Sequence, residues 1–155
     1  MTYISGQIGI NFVNGTTQVP AGGLSIVLSD ALSDLTAHGV ITTGTVTPSA
    51  TFGQCLMISG GNYILTDADS SSTMPCMALA IDTGSGSDKA LLLQGYMRDD
   101  TWSWTSGGLL YASTTAGGMT QTAPSGSGDQ VQPIGYAVTS TIIYFNPSFH
   151  TVEIV

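Results

Sequence analysis

The sequence predicts an all-β fold, a barrel or a sandwich, on three observations. Short runs rich in Val, Ile, Thr and Tyr place apolar residues at every second position, the period of a half-buried strand. Glycine-bearing turn segments such as SGGN (59–62), GSGSD (84–88), TSGG (105–108), TAGG (115–118) and FNPS (145–148) separate those runs, and glycine, serine and asparagine are the residues that tight turns require. The chain has 155 residues, 42% of them hydrophobic, which is one domain's length with enough apolar surface for a core.

Taken in order, IGINF (8–12) alternates Ile8, Ile10 and Phe12, and LSIVL (24–28) alternates Leu24, Ile26 and Leu28. Residues 1–20 read as an N-terminal arm, PAGG (20–23) as a hinge, and residues 21–155 as a single domain. SDALSDLTAHG (29–39) predicts a short helix, with Ser29 or Asp30 as N-cap, Leu32 and Leu35 on one face and Gly39 as the stop. Strands are predicted at 40–46, 54–59, 62–67, 76–82, 89–98, 108–113, 134–138, 141–145 and 150–154. In TWSW, Trp102 and Trp104 fall two apart, on one side of a strand, either as a core pair or as an interface anchor.

Charge excludes several functions. Two residues are basic and ten acidic, for a net charge of −8. Lys89 and Arg98 alone cannot neutralise a run of phosphates, so nucleic acid is not an expected partner, nor is an anionic membrane surface. The N-terminal residues lack the basic start and apolar stretch of a signal peptide, and no apolar run approaches bilayer length. A surface this poor in charge suits a protein that packs against neighbours.

Few residues are placed for chemistry. His38 and His150 lie in no nucleophile elbow, and Cys55 and Cys76 sit in apolar runs, where a thiol behaves as a small buried hydrophobe. No His or Cys spacing suits a metal. Two acid pairs, Asp67 with Asp69 and Asp99 with Asp100, are the only oxygen-rich groups that would share a hard cation or act as glycosidase carboxylates; the alternative is that they form Asx turns. SGSGD (125–129) lacks the lysine of a phosphate loop and the repeats of a calcium solenoid. It reads as an exposed turn, with Gly126 and Gly128 at positive φ and Asp129 as its cap, before a strand begun by Val131 and Ile134. No enzyme activity and no cofactor are expected.

Residues 91–155 carry a long motif: a Gly-x-x-Arg strand, Trp-x-Trp, Gly-Gly-Leu-Leu-Tyr, Gln-Thr-Ala-Pro-Ser-Gly-Ser-Gly-Asp-Gln-Val-Gln, Gly-x-Ala and Phe-Asn-Pro-Ser. The segment resembles one found in structural proteins of tailed bacteriophages, and residues 50–90 resemble it more loosely. Pro133 departs from the pattern, standing where an apolar residue is usual. The resemblance implies a small barrel or β-tulip-like domain, with a jelly-roll-like β-sandwich as the alternative fold. It implies a virion building block: a capsid decoration (cement) protein on the outer surface of the head. Such a protein would bind the major capsid protein across adjacent subunits, as a homotrimer. The alternative is a tail-fibre or head-fibre module that binds a host glycan or protein. Ile8, Ile10 and Phe12 of the arm, with Trp102 and Trp104, are the expected interface residues.

Overall fold

The runs MALAI (77–81) and ALLL (90–93) are apolar at consecutive positions, so strands built from them must be covered on both faces. In the computed structural model, which describes residues 29–155, they are. Eleven strands and one 3₁₀ turn follow in order: β1 (Thr36–Ala50), β2 (Cys55–Ser59), β3 (Asn62–Leu65), the 3₁₀ turn (Ser71–Thr73), β4 (Ala78–Ala80), β5 (Gly84–Arg98), β6 (Leu109–Ala112), β7 (Met119–Thr120), β8 (Gln130–Val131), β9 (Pro133–Ala137), β10 (Ile142–Phe145) and β11 (Val152–Glu153). The fold is all-β. Nine strands form one mixed sheet in the order β1-β3-β2-β4-β5-β10-β9-β6-β7, and β8 pairs with β11 in a small second sheet.

An additional pairing between β1 and β5 closes the first five strands into a ring. Its interior holds Val46 and Ala50 from β1, Leu56 from β2, Ala78 and Ala80 from β4 and Leu91 from β5, with Tyr63 and Leu65 of β3 packed against them. Alternate residues point the other way. Cys55, Leu79, Leu92 and Met97 join Leu110, Ile134, Ile143 and Phe145 in a larger core outside the ring, as the two-residue period of a strand requires. β2, β4 and β5 are therefore the wall between two cores. The architecture is a small closed ring that extends into an open sheet, not the two stacked sheets of a jelly roll.

Several sequence expectations meet the structure at close quarters. Gly60 and Gly61 (φ +56° and +80°) make the two-residue hairpin between β2 and β3, the conformation that matches strand twist. The predicted helix over 29–39 is absent. Asp34 and Leu35 form a turn, and Thr36–Gly39 is already strand, paired with Arg98–Gly95 of β5. Ser29 accepts a hydrogen bond from the Ala31 amide in a local turn and caps no helix. Two apolar anchors were too few to hold a helix against a ladder of backbone bonds. GSGSD (84–88) is likewise not a turn but the start of β5. Positive φ at Gly84, Gly86 and Asp88 accompanies the register shifts opposite Gly44–Ala50, so the turn-forming residues serve β-bulges. Pro133 opens β9 at a register shift against β6; the first position of a strand, at a bulge, is where a missing N–H costs no ladder bond. The runs at 8–12 and 24–28, the arm (1–20) and the PAGG hinge lie outside the described residues.

Candidate functional site

Trp102 and Trp104 do not lie on a strand. They sit in the connection between β5 and β6, which Asp99 shapes. Its Oδ1 accepts from the Thr101 amide (2.8 Å) and hydroxyl (2.6 Å), while the Trp102 amide donates to the Asp99 carbonyl. This is an Asx turn, and it sets both rings half-buried against the larger core. The rings meet at an angle of 56° with centroids 6.0 Å apart. Core and surface roles thus coincide, because each ring packs inward on one side and lines an open recess of about 290 Å³ on the other.

Two more connections complete the recess: Phe52, Gly53 and Gln54 after β1, and residues 115–118 between β6 and β7 with Met119 at the start of β7. Their backbones are tied down. Gly53 and Gln54 are held to Ala80 (Gly53 N to Ala80 O 2.8 Å, Ala80 N to Gln54 O 2.9 Å), and Cys55 donates to the Gly117 carbonyl (2.9 Å). A Cβ on Gly53 would lie 2.8 Å from Trp102 Cζ2, so the indole rests directly on bare backbone. The Trp104 indole N–H is buried with no hydrogen-bond partner among the described residues, an arrangement that costs about 1–3 kcal/mol. Among the described residues, none that lines the recess is ionisable.

A second surface feature went unseen in the sequence. His38, Tyr96, Tyr144, Tyr136 and Leu109 occupy directly paired positions on β1, β5, β10, β9 and β6. The tyrosine centroids are 4.9 Å (Tyr96–Tyr144) and 5.5 Å (Tyr136–Tyr144) apart, an aromatic ladder of the kind that stabilises neighbouring strands. Gln94 donates to the Tyr144 hydroxyl. Burial and the neighbouring Tyr136 push the Tyr96 phenol up. Tyr136 is 42% and Leu109 52% exposed, and Val40, two residues from His38 on β1, is exposed at the other end of the row. Behind the row run Gly39, Gly95, Phe145, Gly135 and Leu110, with Phe145 fully buried. Each tyrosine sits at an ordinary strand position; only the register reveals the row.

The remaining predicted residues resolve into structural roles. Asp67 and Asp69 follow the end of β3 instead of continuing it, and Asp67 Oδ1 accepts from the Asp69 amide. Coulomb repulsion from Asp67 raises the Asp69 carboxyl above its ordinary value. Asp100 forms a bidentate pair with Arg98 (2.6 and 3.1 Å); this hydrogen bonding holds the Asp100 carboxyl below the usual range and raises Arg98. The two acid pairs do not converge on a shared cation, since no three His, Cys, Asp or Glu side chains gather to hold a metal among the described residues. His38 and His150 are exposed. Cys55 and Cys76 are free and buried. In SGSGD, Asp129 Oδ2 caps the turn by accepting from the Gly126 amide (2.7 Å), and Gly128 takes positive φ (+90°); Gly126 does not. Ile8, Ile10 and Phe12 lie outside the described residues. Among the described residues, no helix is long and apolar enough to cross a membrane. Comparison of the chain with protein-family models and with curated protein sequences returned no match.

Proposed function

We propose that the protein is a structural, non-enzymatic virion component: a capsid decoration protein that binds across adjacent capsid subunits, as a homotrimer, on the outside of a bacteriophage head. The observation that carries this reading is the aromatic face, with Tyr136 and Leu109 exposed in one row across the sheet and, among the described residues, only His38, Arg98 and Asp30 as ionisable neighbours of the tyrosines. An exposed apolar face of this kind is where soluble proteins meet other proteins. The likeness of residues 91–155 to phage structural segments supports the same reading, and so does a surface with only two basic residues. Many copies, each with a modest contact, reinforce a shell through multivalency without any chemical step. Quantitative mass spectrometry of purified virions tests it: the expected copy number is comparable with that of the major capsid protein. A few copies per particle would place the protein in a fibre and overturn the decoration role.

A further inference from the structure

We infer that the recess bounded by Phe52, Gln54, Trp102, Trp104, Thr115 and Met119 is a binding site for a neutral saccharide, about one pyranose ring in size. Four observations lead there. First, its walls come from three connections whose backbones are hydrogen-bonded to the sheet or to one another, so binding need not order them. Second, the two indoles form a corner, 6.0 Å between centroids and tilted by 56°, which offers apolar ring surface to a flat C–H face. Third, none of the lining residues among those described is ionisable; a charged ligand would lose hydration there with no counter-charge from them to replace it. Fourth, the volume of about 290 Å³ lies just below the range of about 300–1,000 Å³ that encloses drug-sized ligands, as a single-ring ligand requires.

The recess is open to solvent, so a bound molecule keeps one side in water. A wholly apolar ligand gains little from such a seat. A sugar ring, apolar on one face and hydroxylated at its edge, matches it. Gln54 is placed to read that edge: its Oε1 accepts from the Thr51 amide (2.8 Å), which fixes the side-chain amide and leaves Nε2, close over Gly117, as a donor with no partner among the described residues. A Cβ on Gly117 (φ +72°) would come within 3.0 Å of that nitrogen, so glycine keeps the floor clear. Thr115 and Ala116 stand exposed on the rim. The site does not depend on where the protein sits on a particle, and its test is separate from the copy-number measurement.

Trp102 and Trp104 are the only tryptophans in the sequence, so intrinsic tryptophan emission reports on this recess alone. The full-length protein is titrated with the methyl glycosides of glucose, galactose and N-acetylglucosamine and with their linear trisaccharides. At least one should give a saturable emission change with a millimolar midpoint that is the same at low and high salt. Trp102→Ala should weaken the response, read by the remaining Trp104, by about tenfold or more. Ala116→Leu, which fills the rim from an exposed position, should do the same with an unchanged melting temperature, and so keeps the test valid if Trp102→Ala fails to fold. No saturable change with any of these sugars overturns the proposal, as does binding undiminished by Ala116→Leu. A response instead to lysine- or arginine-rich peptides that fades with salt would make the recess a protein-docking site and also overturn it.

Discussion

Gln132 offers the most direct test of how the two sheets are joined. It is fully buried between β8 and β9. Its side-chain amide acts as a one-residue strand: Oε1 accepts from the Cys76 amide (2.7 Å), and Nε2 donates to the Cys76 carbonyl (2.9 Å) and to the Ser148 carbonyl. Gln132→Leu keeps the volume close but removes all three bonds. The Cys76 amide and carbonyl, in a fully buried residue, are left without partners, at roughly 1–3 kcal/mol each. The half-buried Ser148 carbonyl can turn to water. Burial of the leucine offsets part of the loss, leaving a net cost of about 3 kcal/mol. For a chain of this size each kcal/mol moves the melting temperature by about 2–4 °C, so the expected fall is about 6–12 °C by calorimetry. Gln132→Glu provides a pH-dependent control. A carboxylate among carbonyl oxygens, away from water, titrates above ordinary glutamate, so its deficit is small below about pH 4.3 and grows as pH rises. A Gln132→Leu protein that melts within about 2 °C of wild type would refute the assigned cost of these orphaned groups.

Four further outcomes are expected. Repulsion from Asp67 raises the Asp69 carboxyl, so its charge disfavours the folded state above the ordinary carboxylate range; Asp69→Asn should raise the melting temperature at pH 7 and change little near pH 3, below the unfolded value of about 3.9. Asp100, lowered by Arg98, has the opposite sign: Asp100→Asn should destabilise at neutral pH, with the difference vanishing as acid protonates the wild-type carboxylate. Cys55 and Cys76 are buried, and hydrogen bonding to Cys76 together with burial pushes the Cys55 thiol well up; a thiol-specific disulfide reagent at pH 8 should label both only at the rate of unfolding. Gly39→Ala would place a Cβ 2.0 Å from the Gln94 carbonyl and should cost about 1–3 kcal/mol or more in urea denaturation; Gly60→Ala meets no atom within 4 Å, and only its left-handed φ should matter, about 1 kcal/mol.

The strand pattern was legible because it is local. The β-prone runs CLMIS, NYIL, LLYA and IIYF, set off by turn residues, marked β2, β3, β6 and β10, and a Gly-Gly pair marked the β2–β3 hairpin, since strand propensity and φ preference act over two to four residues. The cap by Asp129 and the burial of both cysteines were legible for the same reason. Where local preference was weak, pairing overruled it. Residues 36–39 left a marginal helix for the β5 ladder, and the glycines of GSGSD became bulges within a long strand.

By itself, the sequence determined the all-β class, the positions of most strands, the turns between them and the charge-poor surface. It did not determine which face each aromatic would share, or with whom. Tyr96, Tyr136 and Tyr144 become a row only through the register of three strands. Trp102, Gln54 and Thr115 become one recess only because three connections meet. Gln132 finds Cys76 across 56 residues of chain. Propensity and periodicity act on neighbours along the backbone, whereas register, closure of the ring and the meeting of loops are settled by burial summed over the whole sheet.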